Sequence, residues 1–303
     1  MRELMQALIN AANELVSENT RTTLPMVSPD MVRRAQNAID AMEQAMLAED
    51  SSAFNRALIR LYSAIPRPLG GKNLLEFEKA GQEKRLKWEQ EFLDAIDGAI
   101  KGLAVKKADP ENDRIAAIMT ENGLSGAPAS EEELKEIRKL MGSDRDKLVR
   151  AWRVENSHTR LRYGNYLKQK NITETKTLWH GSATGNFLSI LTGGLTISKA
   201  AGYGMFGKGI YFASDFDKSR GYCSARNCRW RGGNDSTAML AIFEVATGKP
   251  LHLDVSRSDL YDGHPALKGK DSVWAHKGAN LCRDELIVYN DRACTIKYIV
   301  ETR

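Results

Sequence analysis

Long apolar runs are missing from this chain. Nothing in its 303 residues approaches the roughly 20 consecutive apolar positions that span a bilayer. The opening MRELMQALINAANEL is amphipathic and carries acids, where a secretory leader would be basic and then apolar. No membrane role is expected, and the reading is intracellular, cytoplasmic or nuclear. Cysteine is scarce as well. The four, Cys223, Cys228, Cys282 and Cys294, all lie in the C-terminal half with no C-x-x-C spacing, so reduced thiols and no metal are expected. Strand-like alternation is absent from the first hundred residues, and no zinc-finger or other DNA-sensing pattern precedes the helices read there.

What is present is ordinary for a globular protein, with 42% apolar and 27% charged residues and length enough for one large domain or two. Charge is uneven. Residues 1–150 hold 22 Lys+Arg against 25 Asp+Glu, and residues 151–303 hold 22 against 14. The basic half admits an anionic ligand or polymer, DNA and RNA included; a solvated surface is the blander account.

The N-terminal third reads as helix after helix. Ser28, Pro29 and Asp30 give a cap, a first-turn proline and an acid at the positive helix end, followed by Val32, Ala35, Ile39, Met42 and Met46 on one face. Phe54, Leu58, Leu61, Tyr62 and Ile65 predict a second helix, stopped by Pro66 and Pro68, and Leu74 to Leu103 predicts a longer one. Residues 1–103 are therefore expected to be an all-helical bundle. Pro110, Gly123, Gly126 and Pro128 mark 104–129 as a connection. A capping box from Ser130 to Glu133 opens a helix. Beyond it, β-rich runs at Leu148–Val154, Thr175–Trp179, Gly209–Ala213, Ala238–Val245, Glu285–Tyr289 and Thr295–Val300 predict an α+β domain of antiparallel sheets over 130–303.

One stretch, GYGMFGKGIYFASDFDKSRGYC from Gly202 to Cys223, has a site-building composition. Gly202, Gly204, Gly207 and Gly209 in its first half let the backbone approach a ligand, Ile210, Tyr211 and Phe212 suit a buried strand, and Ser214 and Asp215 suit a helix start. Gly202, Gly204 and Gly207 fit G-x-G-x-x-G, but a strand follows where a dinucleotide fold needs a helix, so that reading is rejected.

Taken singly, the histidine of LWHGS (His180), Tyr211 and the glutamate of DELIVYN (Glu285) each have an ordinary structural explanation. Together, in this order and spacing, the three strings resemble the signatures of the poly(ADP-ribose) polymerases, diphtheria-toxin-like ADP-ribosyltransferases with a His-Tyr-Glu triad. SEEELKEIRKL, VRAWRVEN and GNFLSILTGGL are similar to segments flanking that triad. LPMVSPDMVRRAQNAIDAMEQAM and NRALIRLYSAIPR resemble the family's helical regulatory domain.

That resemblance implies NAD+ as ADP-ribose donor. Gly181 and Ser219 would hold the carboxamide, Tyr222 would stack on the nicotinamide and Tyr211 would close the pocket. His180 would meet the adenine-side ribose with Ser182 and Asn186 nearby. Tyr203, Gly209, Phe212 and Ala213 would line the site, and Asp94 of the helical region would lie near the adenine end. Glu285 would bind the nicotinamide-ribose hydroxyl and, with Lys218, is associated with chain extension. The implied activity is nicotinamide release with transfer of ADP-ribose to protein acceptors, the protein itself included. Mono-transfer to nucleic-acid ends and non-catalytic NAD or ADP-ribose binding are the alternatives.

Overall fold

A computed structural model describes all residues except 69, 71–72, 105–112, 198–203, 227, 229–234 and 279–280. The first elements are helices: α1 (Arg2–Asn19), α2 (Pro29–Leu47), α3 (Ser51–Ala64) and α4 (Lys79–Leu103). Ser28 Oγ caps α2 by accepting the Met31 N–H, with Pro29 at the first turn, and Asp50 caps α3 by accepting the Ala53 N–H. Each buries the apolar stripe its spacing predicts: Ala35, Ile39, Met42 and Met46 on α2, and Phe54, Leu58 and Leu61 on α3. Residues 74–78, read as helical, precede α4.

The next elements are α5 (Arg114–Glu121), β1 (Leu124–Pro128) and α6 (Glu131–Met141). β1 lies within the stretch read as a connection. It pairs antiparallel along its whole length with β2 (Leu148–Asn156). Gly126 is needed there, because a Cβ would overlap the Arg153 carbonyl. α6 carries the expected box, Ser130 and Glu133 satisfying each other's backbone N–H.

After α7 (Ser157–Lys170) come β3 (Thr175–Gly181), α8 (Phe187–Gly193), β4 (Ile210–Phe212), α9 (Phe216–Arg220), β5 (Ala238–Ala246), β6 (Pro250–Leu253), β7 (Ser272–Ala275), β8 (Glu285–Val288) and β9 (Cys294–Thr302). They form two sheets, β1-β2-β9-β5-β3 and β4-β8-β7-β6. The class is the expected α+β, and every pairing is antiparallel except β6 with β7, which is parallel.

Among the described residues, one backbone bridge stitches the two sheets. Trp179 at the end of β3 and Ala213 just past β4 exchange both backbone hydrogen bonds, 2.8 and 3.0 Å. Trp179 is buried, edge-on to Phe216 of α9. The helical region shares its apolar core with the sheets, in a cluster running from Leu4, Phe54 and Ile96 to Phe187, Leu191 and Ile299. α4 lies close on α8. A Cβ at Gly98 would overlap Ser189 Oγ, and one at Gly102 would overlap Thr192, so the helices meet at these positions only because they lack side chains. No described helix is long and apolar enough to cross a membrane.

Candidate active site

Strand register decides which side chains meet. Tyr211 on β4 faces Ile287 on β8, and Phe212 faces Leu286. Side chains alternate across a strand, so Tyr211, Ile287 and Glu285 share one face of the small sheet. Ile210, Phe212, Leu286 and Val288 take the other and enter the main core. Tyr211 and Glu285 are thus diagonal neighbours, with Glu285 paired on its far side to Ala275 of β7. The Trp179–Ala213 stitch brings the end of β3, which carries His180 and Gly181, beside this same corner.

Glu285 is 7% exposed and Lys218 of α9 is 5% exposed, a figure that matters because their charges meet at 2.8 Å, Nζ to Oε1. A short helix can place Lys218 there because Asp215 caps it, Oδ1 accepting the Lys218 N–H at 3.0 Å. The other oxygen of Asp215 accepts from Arg283 Nε at 2.9 Å, tying α9 to the approach to β8. Lys218 Nζ also lies 5.9 Å from the Tyr222 ring centroid, within cation–π range.

Tyr211 is anchored rather than free. Its hydroxyl donates to the Gly207 carbonyl at 2.8 Å and accepts the Phe206 N–H at 3.0 Å, so it ties down the glycine loop that precedes its own strand. Burial raises the pKa of Tyr211 and of Tyr222, and the nearby Glu285 charge adds to it; both phenols stay protonated at neutral pH. Gly207, at φ +76°, and Gly204 admit no Cβ: one would meet the Leu260 carbonyl and the other the Tyr211 hydroxyl.

His180 Nδ1 lies 3.0 Å from the Tyr211 carbonyl. A carbonyl only accepts, so Nδ1 carries the proton and the neutral ring keeps Nε2 as an acceptor. Desolvation lowers the His180 pKa, against that backbone bond. Gly181 touches the Ser219 backbone so closely that a Cβ would overlap its carbonyl, which brings the two expected carboxamide residues together. Asn186 donates to Ser182 Oγ at 2.9 Å. Asn186 also borders a small cavity of about 100 Å³ with Leu15, Trp88 and Phe92 of the helical region. Gly209 packs against Ile287, and Phe212 and Ala213 are buried at the join. Asp94 sits on α4, accepting from Gln90 at 2.8 Å. Tyr203 and Gly202 lie outside the described residues.

Three supporting residues escaped the sequence reading. Tyr289 donates to the Phe206 carbonyl at 2.6 Å; the period of two from Glu285 through Ile287 would have flagged it as part of the same face. Asp284, beside Glu285, accepts from Trp274 Nε1 at 2.9 Å and from the Lys277 N–H at 2.8 Å, fixing the entry to β8. These bonds outweigh desolvation and hold its pKa below the usual carboxylate range. Arg283 had no signal beyond its position next to DELIVYN.

An α+β domain with two stitched sheets, a His-Tyr-Glu corner and a buried Lys–Glu pair is the setting in which the family comparison falls. Residues 131–277 match the family model of the poly(ADP-ribose) polymerase catalytic domain. Those residues, just under half of the chain, carry a poly(ADP-ribose) polymerase catalytic domain. It is similar to Poly [ADP-ribose] polymerase 2 of Arabidopsis thaliana, 27% identical over 316 residues covering 90% of this chain and 47% of that protein. It is similar to Protein mono-ADP-ribosyltransferase PARP3 of Homo sapiens, 35% identical over 128 residues, 42% of this chain and 22% of that protein. Poly [ADP-ribose] polymerase 1 of Gallus gallus is 37% identical over 111 residues, 35% of this chain and 10% of that protein. The chain spans about half the length of the plant relative.

Proposed function

We propose that the chain is an NAD+ ADP-ribosyltransferase that expels nicotinamide, transfers ADP-ribose to protein acceptors and extends the product. The single observation that carries this reading is the Glu285 carboxylate, withdrawn from water beside Lys218 on the strand face it shares with Tyr211. Breaking the bond between ribose C1′ and the nicotinamide nitrogen sends the electron pair to the leaving ring and leaves positive charge on the sugar. A fixed carboxylate beside the ribose stabilises that charge more than it stabilises the ground state. An acceptor oxygen then bonds to C1′ and gives up its proton.

The other roles follow from donors and acceptors at the same corner. Gly181 and Ser219, whose backbones pack against each other, suit a carboxamide, which needs both a donor and an acceptor. Tyr222, 40% exposed, offers an aromatic face for the nicotinamide, and Tyr211 walls the loop side. The bare Nε2 of His180 suits a ribose hydroxyl. Ser182 and Asn186 stand beyond it, Gly209, Phe212 and Ala213 supply backbone and packing, and Tyr203 and Asp94 remain proposed contacts. The helical bundle of residues 1–103, resting on α8, is proposed as a regulatory unit over the transferase domain of residues 130–303, joined by 104–129.

Mono-transfer is the second reading, favoured by similarity to relatives named as mono-ADP-ribosyltransferases. Incubation with labelled NAD+ and resolution of protein-bound product by length separates the two. A ladder supports chain extension, single additions support mono-transfer, and no labelled product with no nicotinamide released rejects both.

A further inference from the structure

One cleft lies away from these residues. It measures about 870 Å³ and lies between the C-terminal end of α7, the turn joining β5 to β6, and residues 262–271. That is within the range of small-molecule sites, roughly 300 to 1,000 Å³. We propose that it is a second binding site, for a pyrophosphate-bearing ligand of nucleotide size.

Four lysines reach the cleft from three separate segments: Lys170 from α7, Lys249 from the β5–β6 turn, and Lys268 and Lys270 from the loop before β7. Among the described residues, none of the four is in an ion pair, and Lys270 Nζ only donates to the Pro250 carbonyl, at 3.2 Å. Of the three carboxylates on the walls, Asp271 accepts the Lys249 N–H at 2.9 Å and Asp262 accepts from Asn290 at 3.2 Å, which leaves Glu174. The four lysines outnumber the three carboxylates around a concavity, where their fields add.

The backbone points the same way. Gly263 and Gly269, at φ +87° and +73°, both line the cleft, and the space where a Cβ would stand is open at each. Their N–H groups have no partner among the described residues. Amides exposed by left-handed backbone beside ammonium groups bind phosphate oxygens. Lysines brought to one cleft from three segments suit two linked phosphates better than one.

The cleft contains none of Glu285, Tyr211, Lys218, Ser219 or Tyr222, yet it touches their scaffold. Tyr289 forms part of its wall and donates to the Phe206 carbonyl at 2.6 Å; the Phe206 N–H in turn donates to the Tyr211 hydroxyl. A ligand seated there is two hydrogen bonds from Tyr211.

Calorimetric titration of the wild-type full chain with inorganic pyrophosphate and with ADP-ribose tests the site, at low salt and with no turnover involved. The comparison is Lys249→Glu/Lys268→Glu against Lys135→Glu/Lys139→Glu, a charge-matched change on α6. Pyrophosphate should bind, weakening at least tenfold in the cleft variant and less than twofold in the α6 variant. ADP-ribose should lose one binding event in the cleft variant only. No pyrophosphate binding, equal weakening in both variants, or ADP-ribose stoichiometry unchanged by the cleft substitutions would overturn the proposal. None of these outcomes depends on whether the chain is a transferase.

Discussion

Removing either partner of the Lys218–Glu285 pair should hurt folding far more than removing both. At 2.8 Å and an effective dielectric of about 20, the attraction is on the order of 6 kcal/mol. Withdrawing each ion from water costs several kcal/mol, so the intact pair adds little net stability. A lone ion left behind keeps its desolvation cost and loses its partner. Lys218→Met or Glu285→Leu alone should therefore each lower stability by about 3–5 kcal/mol. The double substitution places two apolar side chains face to face and should cost much less than the sum, with a coupling energy above about 2 kcal/mol. Urea unfolding of the four proteins, compared at constant m, measures this. Additive losses, or single losses below about 1 kcal/mol, would refute the claim that these charges are buried against each other. The double variant also separates folding from chemistry: it should be folded and inactive.

Two further outcomes are expected. Gly98→Ala puts a methyl group into Ser189 Oγ at the contact of α4 with α8, and overpacking of this kind costs about 1–3 kcal/mol. If the bundle restrains the site, nicotinamide release should rise, and a second change, Ser189→Gly, should return it toward wild type; an unchanged rate in a folded protein makes the bundle a static support. Deleting residues 1–103 is a poorer test, because it uncovers Phe187, Leu188 and Leu191, all fully buried. Desolvation depresses the His180 pKa, so the unfolded chain binds its proton first on acidification. The stability His180 contributes is present above the unfolded value, about 6.5, and is lost as pH falls below it. The stability gap between wild type and His180→Asn should shrink from pH 7.5 to pH 5.5, and a gap that widens toward acid contradicts the buried neutral imidazole.

The sequence was most legible where local chemistry and tertiary packing agree. Caps at Ser28 and Ser130 mark true helix starts, and the long strands β2, β5 and β9 follow their apolar runs to within two residues. It was least legible where partners come from far away. β1 contains Gly126 and ends at Pro128, two turn signals, and is a strand only because β2 accepts it along its full length. β6 begins at Pro250, exposes His252, and pairs parallel to β7 across the intervening residues 254–271; four residues carry too little periodicity to announce that. At the site, His180, Tyr211 and Glu285 stood out through their strings. The bonds that hold them, from Trp179 to Ala213 and from Tyr289 to Phe206, join backbone groups and side chains whose meeting only the fold decides.

The most direct test of the central claim is nicotinamide release from NAD+ by wild type beside Glu285→Gln, a change that keeps the size of the side chain, removes its charge and replaces one acceptor oxygen by an NH2 donor. With melting curves confirming that both are folded, the account predicts measurable release by wild type and a loss of about 10²- to 10⁴-fold in the variant. Release by a folded Glu285→Gln protein within threefold of wild type would contradict it.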